Sequence, residues 1–75
     1  MSAVSDRVTA ICQPYFGPAT SSFLARQCKS HLKIEVSDLT QSQCKELAKW
    51  IGVGAGLLMD QAKATEVAEK VARLQ

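Results

Sequence analysis

Histidine occurs once in this 75-residue sequence, and so does tryptophan. One Tyr and two Phe complete the aromatic set, so the core must be built from Leu, Ile, Val, Ala and Cys. The lack of His also removes most acid–base chemistry. A thiol nucleophile needs a base and a group that orients it, and the local neighbours of His31 are Lys and Ser. No pair of acids falls on an apolar face, where a general acid and base would be placed. No catalytic residue is expected, and the chain does not read as an enzyme.

Long apolar runs are missing too. The longest, Ile51 to Met59, is nine residues and includes three Gly, whereas a membrane-spanning helix needs about 20. Residues 1–10 lack the basic start and apolar stretch of an export signal. The net charge of +2 is too small to imply nucleic acid or membrane by itself. Three Cys is an odd number, which excludes a complete intramolecular disulfide framework. Reduced thiols point to a cytoplasm. These absences predict a cytoplasmic protein with no membrane partner.

What remains is small and helical. The length allows one domain, 1–75, and so short a chain buries only about 60% of its unfolded surface. With 47% hydrophobic residues it has enough apolar surface to fold. Val4, Val8, Ile11, Cys12 and Tyr15 repeat at helical spacing and predict a helix over 4–16. Phe16-Gly17-Pro18 ends it, because Gly17 suits the left-handed position and Pro18 cannot continue the ladder. Ala19, Phe23, Leu24, Cys28, His31 and Leu32 share one broad face and predict a helix over 18–32. Residues 32–39 read as a loop that plugs apolar side chains into the bundle. Thr40 with Gln43 forms a capping box, and Leu39 with Cys44 the matching hydrophobic staple. Cys44, Leu47, Ala48, Ile51, Ala55 and Leu58 carry a third helix over 40–58, with a kink expected near its glycines. Ala64, Val67, Ala68, Val71 and Leu74 carry a fourth over 61–74. The expected fold class is all-α: a compact four-helix domain with no sheet, with Phe23, Leu24, Leu47, Ile51 and Val67 in its core.

Between Leu39 and Leu58 the spacing approaches a helix-turn-helix signature, with Leu47, Ala48, Ile51, Gly52, Val53 and Leu58 in the apolar, small and turn positions. The reading segment would then be Gly54 to Ala62. It holds no Arg, Lys or Asn, and only Gln61 is able to reach a base edge. Base readout needs forked donors and acceptors there, so sequence-specific nucleic-acid binding is not expected.

Gly52-x-Gly54-x-Gly56 invites comparison with nucleotide-binding loops. The dinucleotide fingerprint wants a preceding strand and a third Gly where Leu57 stands, and no Lys-Ser/Thr pair follows for a phosphate loop. No cofactor is expected. Cys12, Cys28, His31 and Cys44 are four potential zinc ligands, and Cys28 and His31 share a helical face. The other ligands are each alone on a helix, whereas structural zinc sites bring Cys in close pairs. Buried Cys is the commoner fate, and no metal is expected.

Two surfaces remain. Ala48, Gly52 and Gly56 are each four apart and line one helix edge, where small side chains let another helix approach closely. Trp50 projects from a different side and suits an interface anchor. Self-association is one economical way to enlarge so small a core, so a homodimer is an expected partner arrangement. Arg26, Lys29 and Lys33 form a mildly basic face, a candidate contact for an acidic partner.

Tyr15-Phe16-Gly17-Pro18-Ala19-x-x-x-Phe23-Leu24-x-Arg26-Gln27 resembles a small helical module of bacterial signalling proteins, found near the ends of some serine/threonine kinases and of cyanobacterial regulators. The resemblance covers about residues 8–32; the second half departs from it. It implies an accessory helical module without catalytic residues. The leading expectation is a non-enzymatic protein–protein interaction module, accessory to bacterial signalling or regulation. The alternative is a helix-turn-helix nucleic-acid binder, which a chain break at Gly52–Gly54 beside a basic face would favour.

Overall fold

The computed structural model describes residues 3–74. The extreme ends of the expected 1–75 domain, including the first two residues of segment 1–10, lie outside the described residues. The architecture is all-helical, with no strand among the described residues. No helix is long and apolar enough to cross a membrane.

Helix α1 spans Ala3–Phe16 and buries Ser5, Val8 and Cys12, one residue per turn on one side. Pro14 lies within its last turn on the exposed side; Pro there removes one ladder hydrogen bond, and the helix ends two residues later. Gly17 then takes φ 57°, the left-handed geometry expected of it. Its carbonyl accepts hydrogen bonds from Thr20 Oγ1 at 2.7 Å and Gln13 Nε2 at 3.2 Å. The junction is thereby tied to both flanking helices.

The uniform second helix expected over 18–32 does not form. Gly17–Ala19 is a 3-10 turn, α2 spans only Thr20–Gln27, and Cys28–Leu32 winds as a π-helical turn. Lys33 closes it at φ 59°, an uncommon conformation for a residue with a Cβ. The Lys33 and Ile34 amides both donate to the Cys28 carbonyl. Instead of four equivalent helices, the chain builds three of twelve residues or more and one composite segment.

The loop after it behaves as expected. Ile34 and Val36 pack against the core, and Leu39 is buried within it. Thr40 and Gln43 form the capping box, with Thr40 N donating to Gln43 Oε1 at 3.0 Å. The first turn is 3-10, and α3 spans Cys44–Ala55. It buries Cys44, Leu47, Ala48, Ile51 and Ala55. It ends three residues before the expected Leu58, and residues 56–58 form a turn. Asp60 caps α4, Gln61–Ala72, by accepting from the Lys63 amide at 2.8 Å.

The most extensive helix contact is α3 on α4, and α1 packs on both α2 and α4. All five expected core residues, Phe23, Leu24, Leu47, Ile51 and Val67, are buried. At the α1–α4 contact, Tyr15 donates its hydroxyl hydrogen bond to Glu66, and Lys70 donates to the Tyr15 oxygen at 2.8 Å. That bond, with Glu66 adding to it, raises the Lys70 ammonium above its ordinary range. Glu66 and Lys70, four apart along α4, pair at 3.8 Å.

Glycine sets how close α3 lies to its neighbours. A Cβ at Gly54 would stand 2.9 Å from Gln27 Nε2 and 3.0 Å from the Phe23 ring. That ring is itself stacked on Phe16 at 4.2 Å, so it has little freedom to retreat. Helix propensity alone would reward Gly54→Ala by roughly 1 kcal/mol. We expect the opposite sign, a cost of about 1–3 kcal/mol from overpacking, seen as a lower melting temperature in circular dichroism. A variant that melts higher than the parent would show that Phe23 and Gln27 yield freely.

Candidate functional site

The small-residue edge is turned inward. A Cβ at Gly52 would stand 3.3 Å from Ala68 Cβ on α4, and Ala48 is buried. Ala48, Gly52, Ala68 and Ala72 line one shallow depression between the two helices. At Gly52 the edge is met by α4 of the same chain. Gly56 does not belong to it. It lies past the end of α3 and is exposed, with the Gly52 carbonyl as its nearest neighbour. The reason is the early end of α3: Gly56 sits where the chain turns toward α4.

Trp50 holds a different environment. It is half-buried, and its indole stacks on His31 with ring centroids 3.9 Å apart and planes 2° from parallel. Lys49 Nζ lies 5.2 Å from the ring centroid. Its Nε1 is buried without an acceptor, so stacking rather than hydrogen bonding holds the ring. Spacing alone puts His31 on the same broad helical face as Cys28 and Leu32. In the π-helical turn it is exposed and shields the indole from one side.

The same side of α3 continues into the most unusual surface of the molecule. Val53, Leu57 and Leu58 are 58%, 85% and 67% exposed. Trp50, Val53 and Leu57 are three and four residues apart, the spacing of neighbours on one helix face. The turn keeps that winding, with Leu57 N–H donating to Gly54 O and Leu58 N–H to Ala55 O. From Trp50 to Met59 there is no charged residue. Large exposed apolar side chains grouped at one end of a helix are a candidate contact surface. Sequence periodicity missed it because Leu58 matches the core spacing of α3; the signal was Gly54 and Gly56, which allow the helix to end early.

The basic face is mixed in charge. Lys29 and Lys33 line a depression together with Glu35 and Asp38, so the acids that follow in sequence fold back beside the lysines. Arg26 is exposed but lies outside that depression.

Cys12, Cys28 and Cys44 are free and buried, and burial pushes all three thiols up, Cys12 from 9.0 to about 12. Such thiols resist ionisation, the step that makes sulfur a nucleophile or a metal ligand. Among the described residues, no three His, Cys, Asp or Glu side chains converge as a metal site.

No protein family, curated protein or solved structure matches the chain.

Two outcomes follow from this geometry. The folded Cys12 thiol stays protonated while the unfolded one ionises, so the unfolded state gains as pH rises above about 9. Stability present below pH 9 should fall progressively toward pH 12, and more steeply in the parent than in Cys12→Ala, measured by denaturant titration across that range. Equal slopes would mean that Cys12 is not shielded from water. Separately, His31→Ala should uncover one indole face and shift Trp50 fluorescence to longer wavelength while the helical signal is kept. Unchanged emission would place His31 elsewhere.

Proposed function

We propose that this chain is a non-catalytic helical module that works by binding another protein through the end of α3. The observation that carries this reading is the uncharged, exposed group Val53, Leu57 and Leu58 beside half-buried Trp50. Aromatic anchors surrounded by aliphatic contacts are where binding energy concentrates. Of the residues that spacing marks for helix packing or an interface, Ala48 and Gly52 pack toward α4, and Trp50 borders the proposed face. An accessory role in bacterial signalling belongs to the same proposal and is supported by the resemblance over residues 8–32.

A helix-turn-helix reading has less to stand on. Such a motif needs a turn at Gly52–Gly54, and α3 runs through both residues to Ala55. The stretch that would read bases is mostly the turn and the first residues of α4.

The test is a photo-cross-linking amino acid at Leu57 in the cells that make the protein, with a second at exposed Glu69 as control. Adducts identified by mass spectrometry from position 57 and not from 69 are expected. No adduct from 57, or the same adducts from both, would overturn the reading.

A further inference from the structure

The contact face has features that select its occupant. No charged residue lies between Trp50 and Met59, and the cation against the Trp50 ring is Lys49, with Nζ 5.2 Å from the centroid. The face is a short helical stripe, Trp50, Val53 and Leu57, with a large flat ring at one end and a flexible aliphatic side chain at the other. Two such stripes laid antiparallel are complementary to each other. With Val53 at the centre, Trp50 of each copy meets Leu57 of its mate.

Electrostatics agree with that register. The last turn of α3 has no basic residue to balance its carbonyl end. Antiparallel docking brings Lys49 of one copy to the residues around Leu58 of the other, where α3 ends. A cation near a helix C-terminus is stabilising.

The size of the face also fits. Val53, Leu57 and Leu58 are 58%, 85% and 67% exposed, and side chains of that size leave an apolar patch on the order of a few hundred Å². A standard interface buries roughly 800 Å² per partner, about two-thirds of it apolar in homodimers. The patch therefore supplies much of the apolar core of a small, reversible dimer, with the surrounding polar residues of α3 as its rim.

We infer that the occupant of this face is a second copy of the chain, docked across a twofold axis near Val53 with the two α3 helices antiparallel. This rests on the reading of the α3 end as a contact face. It differs from a dimer built on the small-residue edge, because Ala48 is buried and Gly52 faces Ala68 of α4. A twofold contact is self-complementary, so a residue on the axis meets its own copy. That property makes the arrangement testable by charge.

Sedimentation equilibrium of the full chain from micromolar to millimolar concentration should show the mass rise from 8.1 kDa toward twice that value. Val53→Glu and Val53→Lys should each stay monomeric, because like charges meet on the axis, and their equimolar mixture should recover the doubled mass. Leu57→Ser, at a position too exposed to matter for folding, should keep the parent's circular dichroism and lose association. A parent that stays monomeric at millimolar concentration would overturn the dimer. So would single-charge variants that still associate, or a mixture that does not. The cross-linking at position 57 separates the two claims. Adducts of doubled mass support the dimer. Adducts only with a different protein overturn it and leave the contact face standing, whereas no adduct removes both.

Discussion

Close approach to α3 from two sides is the constraint on which the rest of the structure depends. Gly52 admits Ala68 of α4, and Gly54 admits Phe23 and Gln27 of α2. A chain this short has few large side chains to fill gaps between helices, and it solves the problem by removing side chains so that helices approach. The short distance lets Leu47, Ile51, Val67 and Val71, all fully buried, meet in one continuous core. Dispersion contacts fall off steeply with distance, so a wider α3–α4 spacing would leave these residues poorly packed. The glycines weaken the helix locally and tighten the packing globally, and the second effect decides the fold.

That solution has a consequence at the far end of α3. Three glycines in five residues lower the helix's ability to continue, and it ends at Ala55. The two leucines that follow are left exposed in the turn, while Ala55 before them and Ala64 after them are buried. The apolar surface that the sequence carries but the core cannot use is collected in one place, next to Trp50. Packing and contact face are thus two results of the same glycine run.

Much of this was legible from residues alone. The capping box at Thr40 and Gln43, the left-handed Gly17 and the five core residues all rest on local rules, in which one side chain answers one backbone group or one helical period. Legibility stopped where the answer depended on which helix lies opposite. Spacing marks Ala48 and Gly52 as an edge for close approach, but it does not say that α4 of the same chain fills it. Leu58 matches the period of the third helix; only the end of the helix at Ala55, three residues before it, puts it outside. The π-helical turn at Cys28–Leu32 was hidden for a similar reason. One extra residue per turn leaves no mark in composition, yet it brings His31 onto Trp50. The helical spacing of Arg26, Lys29 and Lys33 likewise says nothing of Glu35 and Asp38, which follow in the loop and fold back beside Lys29 and Lys33.

The glycine contacts are open to direct observation. Nuclear Overhauser spectra of the protein in solution should show cross-peaks from the Gly54 α-protons to the Phe23 ring and from the Gly52 α-protons to the Ala68 methyl. Both are predicted because one α-proton of each glycine points where a Cβ would stand 3.0 Å from the Phe23 ring or 3.3 Å from the Ala68 methyl. Spectra of a folded chain in which the Gly52 cross-peak to Ala68 is absent, or in which Phe23 lies against residues other than Gly54, would contradict the account at its centre.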